Sequence, residues 1–374
     1  MSAGGGDVGG AAGPEPAATG EALLWTTPAD SALPAETVDA LQEALDAYRQ
    51  AQEAPGLTAA VVTPDGMWAG ASGVDGTGTP LQPESAFAIA SITKTFVAAE
   101  VVLLSAQEQV DLDADIADYV DLPFTSDGAT VREVLGMESG FPLDPVDEVL
   151  GMTGDLDREW TQDDVFDLVL AGSIQGVRGE DPSYNNLNYW VLGALVEEVT
   201  GEPLAVALRQ DVLDPFGLER VWVQAAEEPT PPLAIAADEA RFPEVDEDGP
   251  FLPSRAVASA AGAAGGMAAD APTLARWGHL LYGGAVLERS LVEDMTTPEG
   301  DDDWYGLGTV LARDGEAPLV GHDGDLGVYH SLLAVWPDDA ISVAVLVPTP
   351  SPLGLDEELT PTGLARTLHE AALG

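Results

Sequence analysis

The sequence has no cysteine and only one lysine among its 374 residues. Without cysteine the chain has no disulfides and no thiol chemistry, and its redox compartment is undetermined. Lysine and arginine together number 13 against 65 acidic residues, which gives a formal net charge of −52. Such a surface repels nucleic acid and anionic membranes, so we exclude both as partners. A solvation adaptation, to high salt or through a genomic bias against lysine codons, explains the charge more simply than an acidic binding function.

Long apolar runs are missing too. No stretch is long enough to cross a bilayer as a helix, so no integral membrane segment is expected. Residues 1–29 are rich in Gly, Ala and Pro and predict a flexible leader without the basic and apolar regions of a signal peptide. The location stays open: extracellular or cell-envelope if a signal peptide has been removed, and otherwise cytoplasmic.

The single lysine, Lys94, lies three residues after Ser91 inside the apolar stretch Phe87–Ala99. On a helix, residues three apart share one face, so a hydroxyl would lie beside an amine. A buried lysine can become neutral and act as a base, whereas arginine stays charged. The alternatives are an ordinary N-cap serine and a surface lysine, and the second fits poorly with an otherwise lysine-free chain.

The order of predicted elements is a helix and a hairpin, then mostly helices, then strands and a closing helix. The simplest assembly is an α/β (α+β) fold, in which both chain ends build one antiparallel sheet flanked by helices around an inserted all-helical region. A single unit of residues 30–373 is expected. Residues 30–100 and 260–373 would form its sheet-containing part, and 101–259 the mostly helical insert.

Periodicity and turn residues predict the individual elements. Helices are expected at Glu36–Glu53, Ser91 to about Gln107, Thr130–Leu135, Trp160–Leu170, Tyr189–Thr200, Leu204–Leu213, Thr273–Tyr282 and Pro361–Leu373. Strands are expected at Leu57–Val62, Met67–Gly70, Gly308–Ala312, Leu319–His322, Tyr329–Trp336 and Ile341–Val347. The acidic, proline-rich residues 225–253 predict a long surface excursion. The glycine-rich Ala260–Gly266 predicts close backbone approach or unusual dihedral angles.

Three motifs occur in a fixed order: Ser91-Ile-Thr-Lys94, Tyr184-Asn-Asn186 and His322-Asp-Gly324. Together they resemble the serine β-lactamase and penicillin-binding-protein superfamily, in particular its branch of class C β-lactamases, D-Ala-D-Ala carboxypeptidases and carboxylesterases. Further stretches are similar to that family: Phe87–Phe96, Thr130–Gly140, Tyr184–Gly193, Gly265–Met267, Tyr305–Gly308 and Gly321–Gly324. The resemblance covers about residues 30–373 without the acidic excursion. It implies the β-lactamase/transpeptidase-like fold, with the active site in a groove between the sheet and the helical region.

The resemblance also implies roles for the first two motifs. Ser91 would be the nucleophile at the first turn of its helix, and Lys94 the base that takes its proton. Tyr184 would be a second base or a proton relay to the leaving group, and Asn186 would position the substrate and bond Lys94. A packed loop tyrosine and a turn asparagine are the alternatives.

In the third motif, His322 would help form the groove wall and bond Tyr184 or the substrate, and Gly324 would let the substrate approach the strand. The backbone N–H groups of Ser91 and Asp325 are the expected oxyanion hole. An edge-strand histidine is the alternative for His322. No metal and no cofactor are expected, because the four histidines show no ligand spacing.

Two departures from the family pattern matter. Asp323 occupies the middle of the third motif, where the family usually has a hydroxyl that helps hold a substrate carboxylate, and an ionised aspartate would repel that group. Arg313, across a predicted hairpin, could compensate or could be a solvated turn residue. Met137-Glu138 replaces the family's usual His-Thr and is expected to affect packing more than chemistry.

These observations predict a metal-independent, monomeric serine acyl hydrolase for a small-molecule or peptide substrate. The first expectation is a D-Ala-D-Ala carboxypeptidase-like enzyme. The alternatives are an esterase for uncharged acyl groups, which Asp323 favours, a β-lactamase with slow or no turnover, and a non-catalytic binding protein that keeps the fold.

Overall fold

The chain forms a six-stranded antiparallel sheet with helices on both faces and a three-stranded sheet beside it. The structure is a computed structural model that describes residues 25, 31–142, 155–172, 184–224, 226–236, 245–298, 304–348 and 360–374. The helices are α1 (Ala35–Ala51), α2 (Thr93–Ala106), α3 (Val131–Leu135), α4 (Gln162–Gly172), α5 (Leu187–Thr200), α6 (Leu204–Leu208), α7 (Arg255–Gly265), α8 (Ala271–Tyr282), α9 (Arg289–Met295) and α10 (Pro361–Leu373). The strands are β1 (Gly56–Thr63), β2 (Gly66–Gly73), β3 (Phe87–Ala88), β4 (Val221–Val223), β5 (Met267–Ala269), β6 (Val310–Asp314), β7 (Ala317–Asp325), β8 (His330–Trp336) and β9 (Ile341–Val347).

Both ends of the chain build the large sheet, as predicted. Its strand order is β2-β1-β9-β8-β7-β6, and every neighbouring pair is antiparallel. β1 is the junction: Val61 lies opposite Trp68 of its hairpin partner β2 and opposite Val343 of the last strand β9. The predicted fold class is therefore confirmed, with the mostly helical region between the two sheet-forming ends.

The large sheet is covered on both faces, which explains why all eight residues of β1 are buried. Leu57, Ala59 and Val61 pack into a core that includes residues of α1 and α10. Ala60 and Val62 point the other way, into the larger core that includes α2 and α8. Successive side chains of a strand alternate between faces, so one strand serves both cores.

Helix α2 is central, as its nearly uniform apolar character predicts. Its residues are buried along most of its length. The indole of Trp277 in α8 stacks on Phe96, with ring centroids 4.2 Å apart, and donates its Nε1–H to Thr95 Oγ1 at 2.9 Å. This contact fixes α2, and with it the start of the helix, against the sheet.

The glycine-rich segment before β5 makes the close approach that its sequence predicts. Gly262 interrupts the helical geometry of α7 with φ +46°, and a Cβ there would lie 2.4 Å from the Trp190 ring. Only glycine can adopt this positive φ while its Cα lies so close to an indole ring. The kink turns the last residues of α7, including Ala264, toward α2.

The predicted surface excursion 225–253 is wrong in part. Ala234 and Ala236 are fully buried, and the Tyr329 hydroxyl donates to the Ala234 carbonyl at 2.7 Å and accepts from the Ala236 N–H at 3.1 Å. The apolar run inside the acidic segment is too short to give a periodic signal. Its burial depends on Tyr329, which lies far away in the chain. Residues 225 and 237–244 lie outside the described part of the chain.

Several further elements were not predicted, among them helix α7, Arg255–Gly265. The small sheet, with strand order β3-β5-β4, has strands of only two or three residues, too short for a periodic signal. Helix α9 was not predicted either, and the predicted Leu204–Leu213 helix changes after α6 into a π-helical turn, Arg209–Leu213.

The predicted leader 1–29 lies outside the described residues except for Trp25. The Trp25 backbone N–H donates to the Gly283 carbonyl at 3.1 Å. No helix in the described ranges combines the length and the apolar character needed to cross a bilayer.

Glu100 is a fully buried carboxyl group within α2. Neither of its side-chain oxygens has a hydrogen-bond partner among the described residues. Burial, with a smaller contribution from the negative charge of Asp211, raises the pKa of Glu100 to about 8. The folded state therefore holds the Glu100 proton at pH values where the unfolded chain releases it.

This difference predicts a pH-dependent stability. Because folding raises the pKa of Glu100 above its unfolded value of 4.5, its contribution is fully present below about pH 4.5 and is lost as pH rises through about 8. Glu100→Gln keeps the shape without the titration. Urea unfolding at pH 5 and pH 8.5 should show a variant that gains about 2–4 kcal/mol over the native protein between the two values. Equal pH slopes for both proteins would contradict this account.

Candidate active site

Ser91 lies in a single 3₁₀ turn, Ala90–Ile92, that leads into α2. The preceding Ala90 has φ +46°, in the left-handed region that costs a residue with a side chain about 1–3 kcal/mol. Neighbouring strands hold this conformation: the Ile89 N–H donates to the Met267 carbonyl at 3.0 Å, and the Ser331 hydroxyl donates to the Ile89 carbonyl at 2.8 Å. The turn is thus fixed between the two sheets.

The Lys94 side chain is fully buried, and its Nζ contacts three oxygens. It lies 3.1 Å from Ser91 Oγ, 2.8 Å from Asn186 Oδ1 and 2.7 Å from the Ala264 carbonyl oxygen. These acceptors come from the start of α2, from the N-cap of α5 and from the kinked end of α7. The first two motifs and the glycine-rich segment therefore meet at one nitrogen.

The three contacts differ in what they can do chemically. A protonated amine donates to all three oxygens, whereas a neutral amine has two N–H groups and one lone pair. The Asn186 and Ala264 oxygens can only accept, so they take the two N–H groups. Among these contacts only the Ser91 hydroxyl can donate, so the lone pair faces it. This geometry lets Ser91 pass its proton to a neutral Lys94.

Tyr184 lies over the same amine. Its ring centroid is 4.8 Å from Lys94 Nζ and 6.1 Å from the His322 ring, and the side chain is 38% exposed. Asn185, in the same motif, holds the turn: its Nδ2–H donates to the Pro142 carbonyl at 2.8 Å, and its Oδ1 accepts from the Leu187 N–H at 3.0 Å. The second motif thus lines the groove from the helical side.

Strand β7 supplies the third motif. Its register with β6 ends where Gly321 lies opposite Val310, so His322 to Asp325 follow beyond that pairing. Gly324 packs directly on the nucleophile turn, since a Cβ there would lie 2.3 Å from both the Ile89 carbonyl oxygen and Ser331 Oγ. A strand edge of this kind offers backbone groups to an extended substrate.

His322 is buried at the wall of the groove. Its Nε2 lies 3.1 Å from the Tyr305 hydroxyl, and its Nδ1 lies 2.6 Å from the Asp323 carbonyl oxygen. Burial, together with the positive charge of Lys94, lowers the pKa of His322 to about 4, although Asp323 acts in the opposite direction. The imidazole is therefore neutral at pH 7.

The carboxylates of Asp323 and Asp325 are exposed beside His322, and Asp323 Oδ1 lies 3.9 Å from His322 Nδ1. The side chains of Asp323 and Asp325 are 74% and 64% exposed. Asp325 Oδ1 accepts from the Gly327 N–H at 2.9 Å. The strand edge beside the nucleophile therefore presents two exposed negative charges.

Arg313 is not brought to this group. It lies opposite Pro318, four residues before His322 along β7 or about 13 Å at the usual rise of a strand. Its Nη1–H donates to the Glu316 carbonyl at 3.1 Å within the hairpin turn. The geometry corresponds to the turn arginine of the sequence analysis, and Arg313 does not face Asp323.

Met137 is a packing residue, as expected. It is buried with φ +67°, and its Sδ accepts from Asn188 Nδ2 at 3.4 Å. Ser139 Oγ donates to Asn188 Oδ1 at 2.5 Å, so this turn is fixed against the start of α5.

Sequence reasoning assigned no role to several groups that complete the site. The Ala264 carbonyl has no side-chain signature, although its glycine-rich surroundings pointed to close packing. Tyr305 opens one of the family-like stretches, but nothing in that stretch indicates a bond to His322. Trp304, whose ring centroid lies 4.9 Å from that of Tyr305 and 6.5 Å from that of Tyr184, had no signal beyond its residue type.

Comparison with known proteins identifies the family of the chain. A sequence model of the Beta-lactamase family matches residues 41–365. Penicillin-binding protein 4 of Amycolatopsis lactamdurans is 26% identical over 351 residues, which cover 82% of this chain and 84% of that protein. Esterase EstB of Burkholderia gladioli is 29% identical over 163 residues, which cover 40% of this chain and 41% of the esterase.

Solved structures share the fold. D-amino acid amidase from Ochrobactrum anthropi SV3, in complex with L-phenylalanine amide, matches with a TM-score of 0.74 at 23% identity over 90% of this chain and 98% of its own. The octameric penicillin-binding protein homologue from Pyrococcus abyssi matches with a TM-score of 0.70 at 21% identity over 90% of this chain and 77% of its own. The chain belongs to the β-lactamase family and is a hydrolase. Its expected monomeric state stays a prediction.

Gly324→Ala should disturb the site through the nucleophile turn. The added Cβ meets backbone, which cannot move aside without shifting Ile89 and Ser91. We expect at least tenfold slower hydrolysis of an activated ester and a melting temperature lower by several degrees. Gly265→Ala is the matched control, because a Cβ there meets its nearest atoms at 3.4 Å or more. Native-like ester hydrolysis by Gly324→Ala would show that this contact is not needed.

Proposed function

We propose that the protein is a serine acyl hydrolase that forms an acyl-enzyme on Ser91. The observation that carries this proposal is the distance of 3.1 Å between Lys94 Nζ and Ser91 Oγ. When Lys94 is neutral, its two N–H groups go to Asn186 Oδ1 and the Ala264 carbonyl, which cannot donate, so the amine lone pair is directed at the hydroxyl. This pairing of nucleophile and base is the arrangement that activates a serine.

The proposed reaction has two steps. Ser91 Oγ attacks an ester or amide carbonyl while its proton moves to Lys94, and the backbone N–H groups of Ser91 and Asp325 stabilise the oxyanion. The proton then reaches the leaving group through Lys94 and Tyr184, and the leaving group departs as an alcohol or amine. Water attacks the acyl-enzyme carbonyl, gives up a proton through the same groups and releases the carboxylic acid with Ser91 restored.

The charges at the groove edge bear on the substrate class. Exposed Asp323 and Asp325, a neutral His322 and the distant Arg313 oppose binding of a substrate carboxylate at β7. We therefore propose an ester or amide without a carboxylate beside the reacting carbonyl. Esterase EstB, one of the relatives, fits this substrate class by name.

A D-Ala-D-Ala carboxypeptidase-like activity is the second candidate. It was the first expectation from the sequence, and Penicillin-binding protein 4 of Amycolatopsis lactamdurans is similar over most of both chains. The His-x-Gly form of the third motif also belongs to that branch by resemblance. The exposed carboxylate of Asp323 is the observation against it.

Covalent labelling tests the nucleophile and its base. A fluorophosphonate or a penicillin should add its mass once to the native protein and not to Ser91→Ala. Lys94→Arg keeps the positive charge but cannot accept the proton, so labelling should be slower by about 10²-fold or more. Ser105→Ala, in the same helix, is the control and should label like the native protein.

Two results would refute this assignment: labelling of Ser91→Ala at the native rate, and a native protein that takes up neither probe. The second result would favour a non-catalytic binding protein.

Paired substrates test the role of Asp323. A D-Ala-D-Ala peptide and its C-terminal methyl ester differ in one negative charge, and we expect a higher kcat/KM for the ester. Asp323→Asn should lower the ratio of kcat/KM for the ester to kcat/KM for the peptide by about threefold to tenfold at low salt. In the native protein, added salt should also lower this ratio, because it screens the charge of Asp323. Asp338→Asn makes the same charge change in the turn after β8, at the far end of that strand, and should leave the ratio unchanged.

Faster cleavage of the free peptide than of its ester by the native protein would instead support the carboxypeptidase candidate. If Asp323→Asn and Asp338→Asn change this ratio equally, the charge of Asp323 has no specific effect on the choice of substrate.

A further inference from the structure

We infer that Tyr305 is a positioning residue that holds His322 in its neutral Nδ1–H tautomer by donating a hydrogen bond to Nε2. The third motif then gives the groove a fixed, uncharged wall. The inference rests on the proposed function, because it assigns a role within the same groove.

The partners of the imidazole determine where its proton lies. Nδ1 is 2.6 Å from the Asp323 carbonyl oxygen, which can only accept, so Nδ1 carries a hydrogen. A neutral imidazole has one N–H, so Nε2 has a lone pair. That lone pair faces the Tyr305 hydroxyl at 3.1 Å, and the hydroxyl must be the donor.

The neutral state follows from the surroundings of His322. The ring is buried, and Lys94 of α2 lies close enough to oppose a second positive charge. The titratable groups that face it come from four parts of the chain: Lys94 from α2, Tyr184 from the segment before α5, Tyr305 from the segment before β6, and Asp323 from β7 itself. Of these only Asp323 favours the imidazolium, and its carboxylate is exposed to solvent, which screens it.

Tyr305 is itself held in place. Its ring is fully buried and meets the His322 ring edge-on, with centroids 5.7 Å apart at 85°. The neighbouring Tyr189 donates its own O–H to the Leu135 carbonyl at 3.1 Å. Burial raises the pKa of both phenols well above 10, so both keep their protons. The Tyr189 hydrogen is directed at the Leu135 carbonyl, and the Tyr305 hydrogen is available for His322 Nε2.

This arrangement has a consequence for the groove. Without the Tyr305 hydroxyl, the buried Nε2 lone pair has lost its donor, which costs free energy. Rotation of the ring or a change of tautomer then becomes more favourable. A rotated ring would break the bond from Nδ1 to the Asp323 carbonyl, and that carbonyl belongs to the strand edge beside Ser91. Loss of the Tyr305 hydroxyl would therefore change the position of the β7 edge that would bind the substrate.

Tyr305→Phe with a matched control tests the inference. Tyr282→Phe removes a similarly buried hydroxyl, which is hydrogen-bonded to Thr309 Oγ1 at 3.1 Å instead of to His322. We expect kcat/KM for an activated ester to fall about threefold to tenfold in Tyr305→Phe and to stay within about twofold of native in Tyr282→Phe. Similar losses of melting temperature in the two variants would separate positioning from stability.

Nitrogen-15 NMR of labelled histidine gives the direct readout. The native protein should show His322 as an Nδ1–H tautomer that does not titrate between pH 5.5 and 8, with the signals assigned by their loss in His322→Gln. In Tyr305→Phe the Nε2 signal should move, and in Tyr282→Phe it should not.

A native Nε2–H tautomer, a His322 that titrates within this range, or identical spectra for the two variants would overturn the inference. If Tyr305→Phe does not fold, the native spectrum decides alone. The spectrum needs no substrate, so it tests the role of Tyr305 separately from the acylation of Ser91. Either hypothesis can be refuted while the other is confirmed.

Discussion

The burial of one ammonium group organises this protein. Lys94 lies without solvent contact in the first turn of α2, and an isolated buried charge would cost several kcal/mol. Three oxygens and two aromatic rings, those of Tyr184 and Tyr189, surround it instead. Its partners come from α2, α5 and α7, so these parts of the chain must all be folded before the amine is satisfied. The reactive centre and the packing of the helical region against the sheet are therefore one structural requirement.

The backbone around this amine is held in conformations that few residues tolerate. Ala90 is left-handed directly before the nucleophile, Gly262 breaks α7 against an indole, and Gly324 brings β7 onto the Ile89 carbonyl. The left-handed Ala90 costs conformational energy locally, whereas glycine meets the other two requirements because it has no Cβ. Contacts with different elements fix each position.

Much of this could be predicted from the sequence, and the exceptions have physical reasons. Periodic stretches and the spacing from Ser91 to Lys94 are local properties, so the long elements and the pairing of hydroxyl and amine follow from them. The acceptor at Ala264 is a backbone carbonyl, which no residue type marks. The donor at Tyr305 depends on how two distant strands pack. The direction of Arg313 depends on the hairpin twist, and burial of Ala234 depends on Tyr329, almost a hundred residues later. Sequence patterns report neighbours along the chain, whereas the Ala264 and Ala234 contacts join residues far apart in it.

The acidity of the chain and the chemistry of the third motif act in the same direction. A net charge of −52 gives the whole surface a negative potential, which slows the approach of anions and is screened by salt. At the groove itself the neutral His322 adds no cation, and Asp323 adds a local negative charge that bulk salt screens less completely at short range. A substrate carboxylate would therefore be opposed twice, once during approach and once at the strand edge. An uncharged ester or amide is not repelled during approach or at the strand edge. Lys94 then acts on the Ser91 oxygen and does not neutralise a bound anion.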